Sequence, residues 1–448
     1  MRVLHLPGKA VWSYSEEDIE DIIEYFNPDI TVTTQMKYSL RKKVESRSFY
    51  ETIHLESING FKKRELNDEI LVFLTDKQEL KNIDFSDSGK KLKFIVTNLI
   101  KTEMKPMDFD FSLVNTSLVD ELNKITDNFH VLSTEIEAGK KPDYKGNRIY
   151  GFGLSSGMSG DKIPNVITGK RPHIEYLDSK KVGLTAIPGL GSSFSTFLEN
   201  EGISKRAELC NCDPEEMIKH DGIGPYRSTK WVCSARAIEE NEVFKIKRND
   251  LENQYRIFLD IETDSLQPEI IWHIGLFDDH QGKYKMLLEK DPNKKGRIIK
   301  RLMDYLEERK DNNICLLAWY GSEFDFVHLG NFVEKYDPER LDMWNSLEKI
   351  DFMYWTDNHA ALPCRSQKLY DVSSRLGYDS DLLGLDGEDV ARIYTRHMND
   401  PNFEPDWEEL KRYAKDDVIS MKYVYDKIKE APLLHDLDEI EKIYRRRT

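Results

Sequence analysis

Tyr255-Arg256-Ile257-Phe258-Leu259-Asp260-Ile261-Glu262-Thr263-Asp264 is the stretch on which the reading of this 448-residue chain turns. The apolar run Ile257 to Ile261 predicts a core strand, and the period of two puts Asp260 and Glu262 on one face with Ile261 on the other. Two neighbouring carboxylates on a core strand repel and raise each other's pKa, so they call for a cation between them. Magnesium or manganese suits oxygen ligands of this kind.

Two later segments supply more of the same chemistry. A second apolar run, Ile314-Cys315-Leu316-Leu317-Ala318-Trp319, leads into Tyr320-Gly321-Ser322-Glu323-Phe324-Asp325, after which Phe326, Leu329 and Phe332 recur at helical spacing. Asp325 is therefore expected early in a helix that follows a strand. Farther on, Trp407, Leu410, Ala414, Val418 and Met421 mark an amphipathic helix that carries Tyr413-Ala414-Lys415-Asp416-Asp417. Tyr413 and Asp417, four positions apart, share one face of it.

Asp260-x-Glu262, Gly321-x-x-Phe324-Asp325 and Tyr413-x-x-x-Asp417, in this order, resemble the three motifs of the DEDD 3′–5′ exonuclease superfamily, in its tyrosine-bearing (DEDDy) subgroup. The likeness extends to the RNase H-like exonuclease domain found in several bacterial and archaeal proteins. There, too, a strand ends in Asp, as in Ile350-Asp351-Phe352. A Leu-x-Asp-Val helix then precedes Leu-Gly-aromatic, as in Leu369-Tyr370-Asp371-Val372 and Leu376-Gly377-Tyr378. The resemblance implies an RNase H-like mixed sheet flanked by helices over residues 253–435. It implies two Mg²⁺ or Mn²⁺ ions held by Asp260, Glu262, Asp325 and Asp417, one activating a water and the other stabilising the leaving 3′ oxygen. Tyr413 would orient the attacking water, and Glu262 would also contact the terminal 3′ hydroxyl. Asp416 competes as fourth ligand, although the i, i+4 relation to Tyr413 favours Asp417. One position departs from the family: Tyr320 stands where Asn is usual, which puts any contact made by that Asn in doubt.

A different pattern precedes this domain. Pro188-Gly189-Leu190-Gly191 and Asp221-Gly222-Ile223-Gly224-Pro225 are Gly-apolar-Gly turns 33 residues apart, each ahead of an amphipathic helix. Such a turn brings backbone N–H groups to a helix N-terminus, where they can hold a phosphate without side-chain charge. The pair resembles the tandem helix-hairpin-helix module of many DNA repair and recombination proteins, here an all-α module over 183–245. Gly189, Gly191, Gly222 and Gly224 would then bind the nucleic-acid backbone, and DNA is favoured over RNA as partner.

The remaining sequence sets the frame. At 39% hydrophobic and 33% charged, the chain is neither disordered nor membrane-embedded, and no run approaches the roughly 18 apolar residues of a membrane span. The start of the chain breaks at Pro7-Gly8 before any signal-peptide length is reached, and five cysteines fit a reducing compartment, so a cytoplasmic location is expected. Cys210, Cys212, His220 and Cys233 have metal-ligand chemistry, but Cys-x-Cys is not the usual zinc spacing, and buried thiols are the simpler reading. His273, His328 and His397 read as structural. The net charge of −16 argues against binding driven by bulk charge, yet it is uneven. Residues 1–140 hold 19 basic and 25 acidic groups, 141–250 hold 17 and 15, and 251–448 hold 29 and 41.

Residues 1–138 alternate strand-like and helical patterns and predict a small α/β domain of unassigned role. Its first helix begins after Ser15 and buries Ile19, Ile22, Ile23 and Phe26. The Gly- and Lys-rich residues 139–182 read as a linker or loop, and 436–448 as a frayed basic tail. Two other functions stay open on sequence: a non-catalytic nucleic-acid-binding scaffold with a decayed site, and an RNA-directed or structure-specific endonuclease on the same fold.

Overall fold

In a computed structural model, which describes residues 1–66, 68–85, 91–97, 116–144, 147–153, 162–380 and 384–447, the first helix has the expected boundaries. In α1 (Glu16–Phe26), Ser15 accepts from the Asp18 amide while the Asp18 carboxylate accepts from the Ser15 amide, a reciprocal cap. Ile19, Ile22, Ile23 and Phe26 form its buried face, and Asn27 ends it at φ 44°.

This helix belongs to a unit spanning Met1–Ala186. Its strands are β1 (Arg2–Pro7), β2 (Ile30–Thr34), β3 (Glu51–His54), β4 (Phe61–Leu66), β5 (Glu69–Leu74), β6 (Leu92–Thr97), β7 (Phe129–Glu137), β8 (Asp143–Tyr144), β9 (Asn147–Gly153), β10 (Lys162–Ile167) and β11 (His173–Asp178). They form two sheets, in the orders β11-β10-β1-β2-β3 and β4-β5-β6-β7-β9-β8. Helices α2 (Tyr38–Arg47) and α3 (Thr116–Ile125) complete it.

The expected linker at 139–182 is corrected by four strands. β9 runs parallel to β7, and β10 pairs antiparallel with β1. Glycine misled the reading. A Cβ on Gly151 would lie 1.9 Å from the Glu137 carbonyl oxygen, and one on Gly153 would lie 1.5 Å from that of Thr134. These glycines permit a close backbone approach within a sheet. The α/β unit therefore extends to Ala186 rather than ending at 138. Lys145, Gly146, Gly157 and Gly160 of that segment lie outside the described residues.

The second unit, Ile187–Thr448, begins with helices α4 (Ser192–Asn200), α5 (Arg206–Leu209), α6 (Pro214–Met217) and α7 (Pro225–Glu240). After the short strand β12 (Phe244–Lys245) comes a five-stranded sheet of β13 (Tyr255–Thr263), β14 (Ile271–Asp278), β15 (Lys283–Leu288), β16 (Ile314–Ala318) and β17 (Glu348–Asp351). Its order is β15-β14-β13-β16-β17: the first three strands are antiparallel, and β16 and β17 continue parallel to β13. Strand β18 (Ala360–Ala361) pairs with β12. The helices are α8 (Arg297–Glu307), α9 (Asp325–Tyr336), α10 (Leu341–Ser346), α11 (Phe352–His359), α12 (Leu369–Arg375), α13 (Gly387–Asn399), α14 (Trp407–Glu430) and α15 (Leu437–Arg447).

Alternation along β13 sorts its side chains as the period of two requires. Ile257, Leu259 and Ile261 enter the core formed with Ile298, Leu302 and Leu306 of α8 and Leu329 of α9. Phe258 faces the opposite core with Val418, Met421 and Tyr425 of α14. Asp260 and Glu262 continue the Phe258 row and are thereby aimed at α14. The expected basic tail is also corrected. The segment is helix α15, started by the Asp436 carboxylate, which accepts from the Asp438 amide at 3.1 Å, and anchored by buried Leu437 and Ile440. Among the described residues no helix is long and apolar enough to cross a membrane.

Candidate active site

Asp260 and Glu262 leave the central strand on the side covered by α14, where Asp417 meets them. One carboxylate oxygen from each of Asp260, Glu262 and Asp417 can be chosen so that all lie within 4.8 Å of one another. Asp325 is the first residue of α9, directly after the turn that follows β16, so the helix N-terminus favours its charge. Its Oδ1 accepts from the Ile261 amide at 3.1 Å, between the two strand acids. Tyr413 sits one turn before Asp417 and its hydroxyl is hydrogen-bonded to that carboxylate. The five residues marked in the sequence thus converge, with Asp325 beside the tight trio rather than within it.

Such crowding is costly without a counter-ion. Desolvation, then the charges of Glu262, Asp417 and Asp325, raise Asp260 well above the usual carboxylate range. Glu262 is raised by desolvation and by Asp417 and Asp325. Desolvation lifts Asp325 to about 7 against the pull of the Ile261 amide. It lifts Asp417 to about 7 against the hydrogen bond from Tyr413. Asp260 Oδ2 is buried and has no hydrogen-bond partner among the described residues. Acceptor-only oxygens gathered this closely, one of them orphaned, suit a hard divalent cation.

Asp416 points elsewhere. It accepts from the Tyr378 hydroxyl at 2.7 Å and the Ser380 hydroxyl at 2.6 Å, so the Leu376-Gly377-Tyr378 segment occupies it. Asp351 is also committed, accepting from the Ser322 amide at 3.0 Å, the Ser322 hydroxyl at 2.6 Å and the Tyr354 amide at 3.3 Å. It pins the turn that delivers Asp325. Within this turn Tyr320 adopts φ 56°, a left-handed conformation that Asn tolerates better than an aromatic residue.

Two residues near the acids escaped the sequence reading. Gly275 is the ladder partner of Asp260, and a Cβ there would meet Val418 Cγ2 at 2.9 Å, the Tyr284 hydroxyl at 3.2 Å and the Ala414 carbonyl oxygen at 3.3 Å. Its missing side chain lets α14 close onto the sheet. The available signal was a lone glycine inside the apolar run Ile271–Phe277. Tyr284, on edge strand β15, has its phenol pushed well up by desolvation and by Asp260, Glu262 and Asp417. His273 pairs opposite Glu262, is fully buried, and is lowered by that burial to about 3.

RNase H superfamily is the description of the family model that matches residues 257–429. Residues 257–429 form an RNase H-like domain. Among solved structures, product-bound exonuclease I matches at 12% identity over 36% of this chain and 46% of that one, with a TM-score of 0.23. An exonuclease I complex with SSB-Ct matches at 12% identity over 36% and 43%, TM-score 0.22. Exonuclease I of E. coli with a 5cy-dA13 oligonucleotide matches at 13% over 33% and 41%, TM-score 0.21. The chain thus spans less than half the length of each. No curated protein matches it.

Outside the RNase H-like domain, the four glycines singled out in the sequence occupy two turns of the same shape. Gly189 has φ 74° and Gly222 φ 82°; Gly191 and Gly224 cap α4 and α7 with nearly identical extended backbones and no side-chain cap. Both turns lean on one aromatic pair, Phe194 and Trp231, whose ring centroids are 5.0 Å apart. Helix α7 is then tied to the RNase H-like domain: Lys230, buried, donates to the Asp357 and Ala360 carbonyl oxygens, and Tyr226 donates to the Asp357 carboxylate at 3.0 Å. Cys233 is buried, and burial pushes Cys210 up to about 11 and Cys233 to about 12. Among the described residues, no three ligands gather around these thiols.

Proposed function

We propose that the chain is a metal-dependent nuclease, specifically a 3′–5′ exonuclease that trims DNA while the turns at Gly189–Gly191 and Gly222–Gly224 hold the backbone. The observation that carries this reading is the Asp260, Glu262 and Asp417 trio with its orphaned buried oxygen. Asp260, Glu262 and Asp417, with Asp325 beside them, would hold Mg²⁺ or Mn²⁺. When bound, two such ions would supply an activated water and charge neutralisation at the leaving oxygen.

The chain's own groups do the rest. Tyr413, its phenol held well above the ordinary value by burial and by Asp417, stays protonated at neutral pH. It therefore serves as a hydrogen-bonding positioner of the nucleophile and not as its base. Glu262, buried, would hold a metal ion and the terminal 3′ hydroxyl together. The open N-termini of α4 and α7 offer amide hydrogens to phosphates without help from net charge. This is consistent with an acidic chain binding a polyanion, and it favours DNA over RNA through the resemblance of the tandem turns.

The direct test is incubation with end-labelled single- and double-stranded DNA and RNA in Mg²⁺ or Mn²⁺. Stepwise loss from 3′ ends of DNA, abolished in Asp260→Ala, is expected. Uncut substrates in every condition, or equal cutting by Asp260→Ala, would overturn it; cleavage of circular DNA would make it an endonuclease.

A further inference from the structure

We infer that Tyr320 and Tyr354 form a nucleobase-binding corner beside the acidic site, taking a base near the 3′ end of a single strand. The inference rests on the nuclease reading and names the part of the substrate that this edge recognises. Tyr320 leaves the end of β16 and Tyr354 rises from the first turn of α11. Their ring centroids lie 6.4 Å apart at 83°, an edge-to-face pair whose planes stand at right angles. Tyr354 is 45% exposed although large and aromatic.

Both rings are held from behind. The Tyr354 hydroxyl donates to Glu323 at 2.9 Å, and that of Tyr320 reaches Gln367 Oε1 at 3.5 Å. Rings already fixed lose little freedom when something stacks on them. The corner adjoins the site through Asp351, whose carboxylate accepts from the Tyr354 amide and from the amide and hydroxyl of Ser322, in the turn that runs from Tyr320 to Asp325. Glu323 and Asp351 make its rim acidic, which repels phosphate and leaves the base as the part of a nucleotide that fits. Every base has a face to stack, so the corner selects unpaired ends and not a sequence. The left-handed backbone of Tyr320 fits this role: it holds an aromatic ring where Asn or Gly would be unstrained, the kind of local cost that functional positions carry.

The test uses the full-length protein and oligonucleotides bearing 2-aminopurine in turn at the last three 3′ positions, bound in Ca²⁺, with cleavage measured separately in Mn²⁺. Stacking should quench the fluorescence of at least one position in wild type. Tyr354→Ala should lose the quench and raise KM roughly five- to hundredfold, with a smaller effect on kcat. Tyr320→Phe should keep both. Tyr320→Asn should raise Tm by roughly 2–4 °C while losing the quench, opposite signs that a merely structural residue would not give. Cleavage without any quench in wild type overturns the corner, as does a quench that survives both Tyr354→Ala and Tyr320→Asn. A quench without cleavage leaves the corner standing and refutes the nuclease reading; absence of both refutes the two together.

Discussion

Placing a single methyl group at Gly275 tests whether the sheet-to-helix distance sets the site. The new Cβ would sit 2.9 Å from Val418 Cγ2, whereas carbon atoms pack at roughly 3.5–4.0 Å, so α14 or β14 must give by about 0.7 Å. Val418 is fully buried, in the core with Phe258, Met421 and Tyr425. Overpacking of this kind costs about 1–3 kcal/mol, and replacing a strand glycine returns about 0.5–1 kcal/mol. Gly275→Ala should therefore lower Tm by roughly 2–6 °C. The larger effect should be functional, because α14 carries Tyr413 and Asp417 while Asp260 is the ladder partner of Gly275. Displacement approaching 1 Å costs on the order of a hundredfold in rate, so a fall of roughly ten- to hundredfold is expected, with weaker Mn²⁺ binding by calorimetry. Val418→Ala removes the clashing methyl and should recover much of both losses in the double variant. Wild-type Mn²⁺ affinity and rate in Gly275→Ala, or no recovery in the double variant, would refute the proposed control by spacing.

Other expectations follow from the same geometry. Carboxylates raised in the folded state hold more protons than in the unfolded state between about pH 4 and 7, so metal-free stability should fall as pH rises across that window. Asp417 alone, moved from 3.8 to about 7, corresponds to on the order of 4 kcal/mol. Denaturation at pH 5 and pH 8, with and without Mn²⁺, should show metal restoring stability chiefly at pH 8; equal metal-free stability at both would count against the cluster. Asp417→Asn should raise the metal-free Tm at pH 8 by relieving repulsion and abolish Mn²⁺ binding in calorimetry. Tyr413→Phe should slow cleavage roughly ten- to hundredfold, the scale of one hydrogen bond to a charged group, with Mn²⁺ affinity retained. Lys230→Met, which strips a buried cation from two carbonyl oxygens and Asp357, should cost about 2–3 kcal/mol by chemical denaturation.

What the sequence made legible was whatever depended on periodicity and short-range caps. Ser15 with Asp18, the alternation through Asp260 and Glu262, and the one-turn spacing of Tyr413 and Asp417 are local facts that tertiary structure had no reason to override. What stayed hidden depended on a distant partner. Gly151 and Gly153 look like linker residues until the carbonyl oxygens of Glu137 and Thr134 appear against them. Gly275 gains meaning only beside Val418. Asp416 and Asp417 were told apart by their spacing from Tyr413, but what occupies Asp416 was visible only once Tyr378 and Ser380 were placed against it. The arginines of α15 drew attention from Leu437 and Ile440, the two contacts that seat it.

The buried ammonium of Lys230 carries a consequence of another kind. A helix bolted into its neighbour by a buried cation does not swivel freely, so, on the proposed function, the turns at Gly189–Gly191 and Gly222–Gly224 would keep one separation from the acidic site. On the proposed reading the chain is a caliper. Trimming toward a duplex should then halt at a constant stub length whatever the sequence, and loosening Lys230 should blur that length before it abolishes cutting.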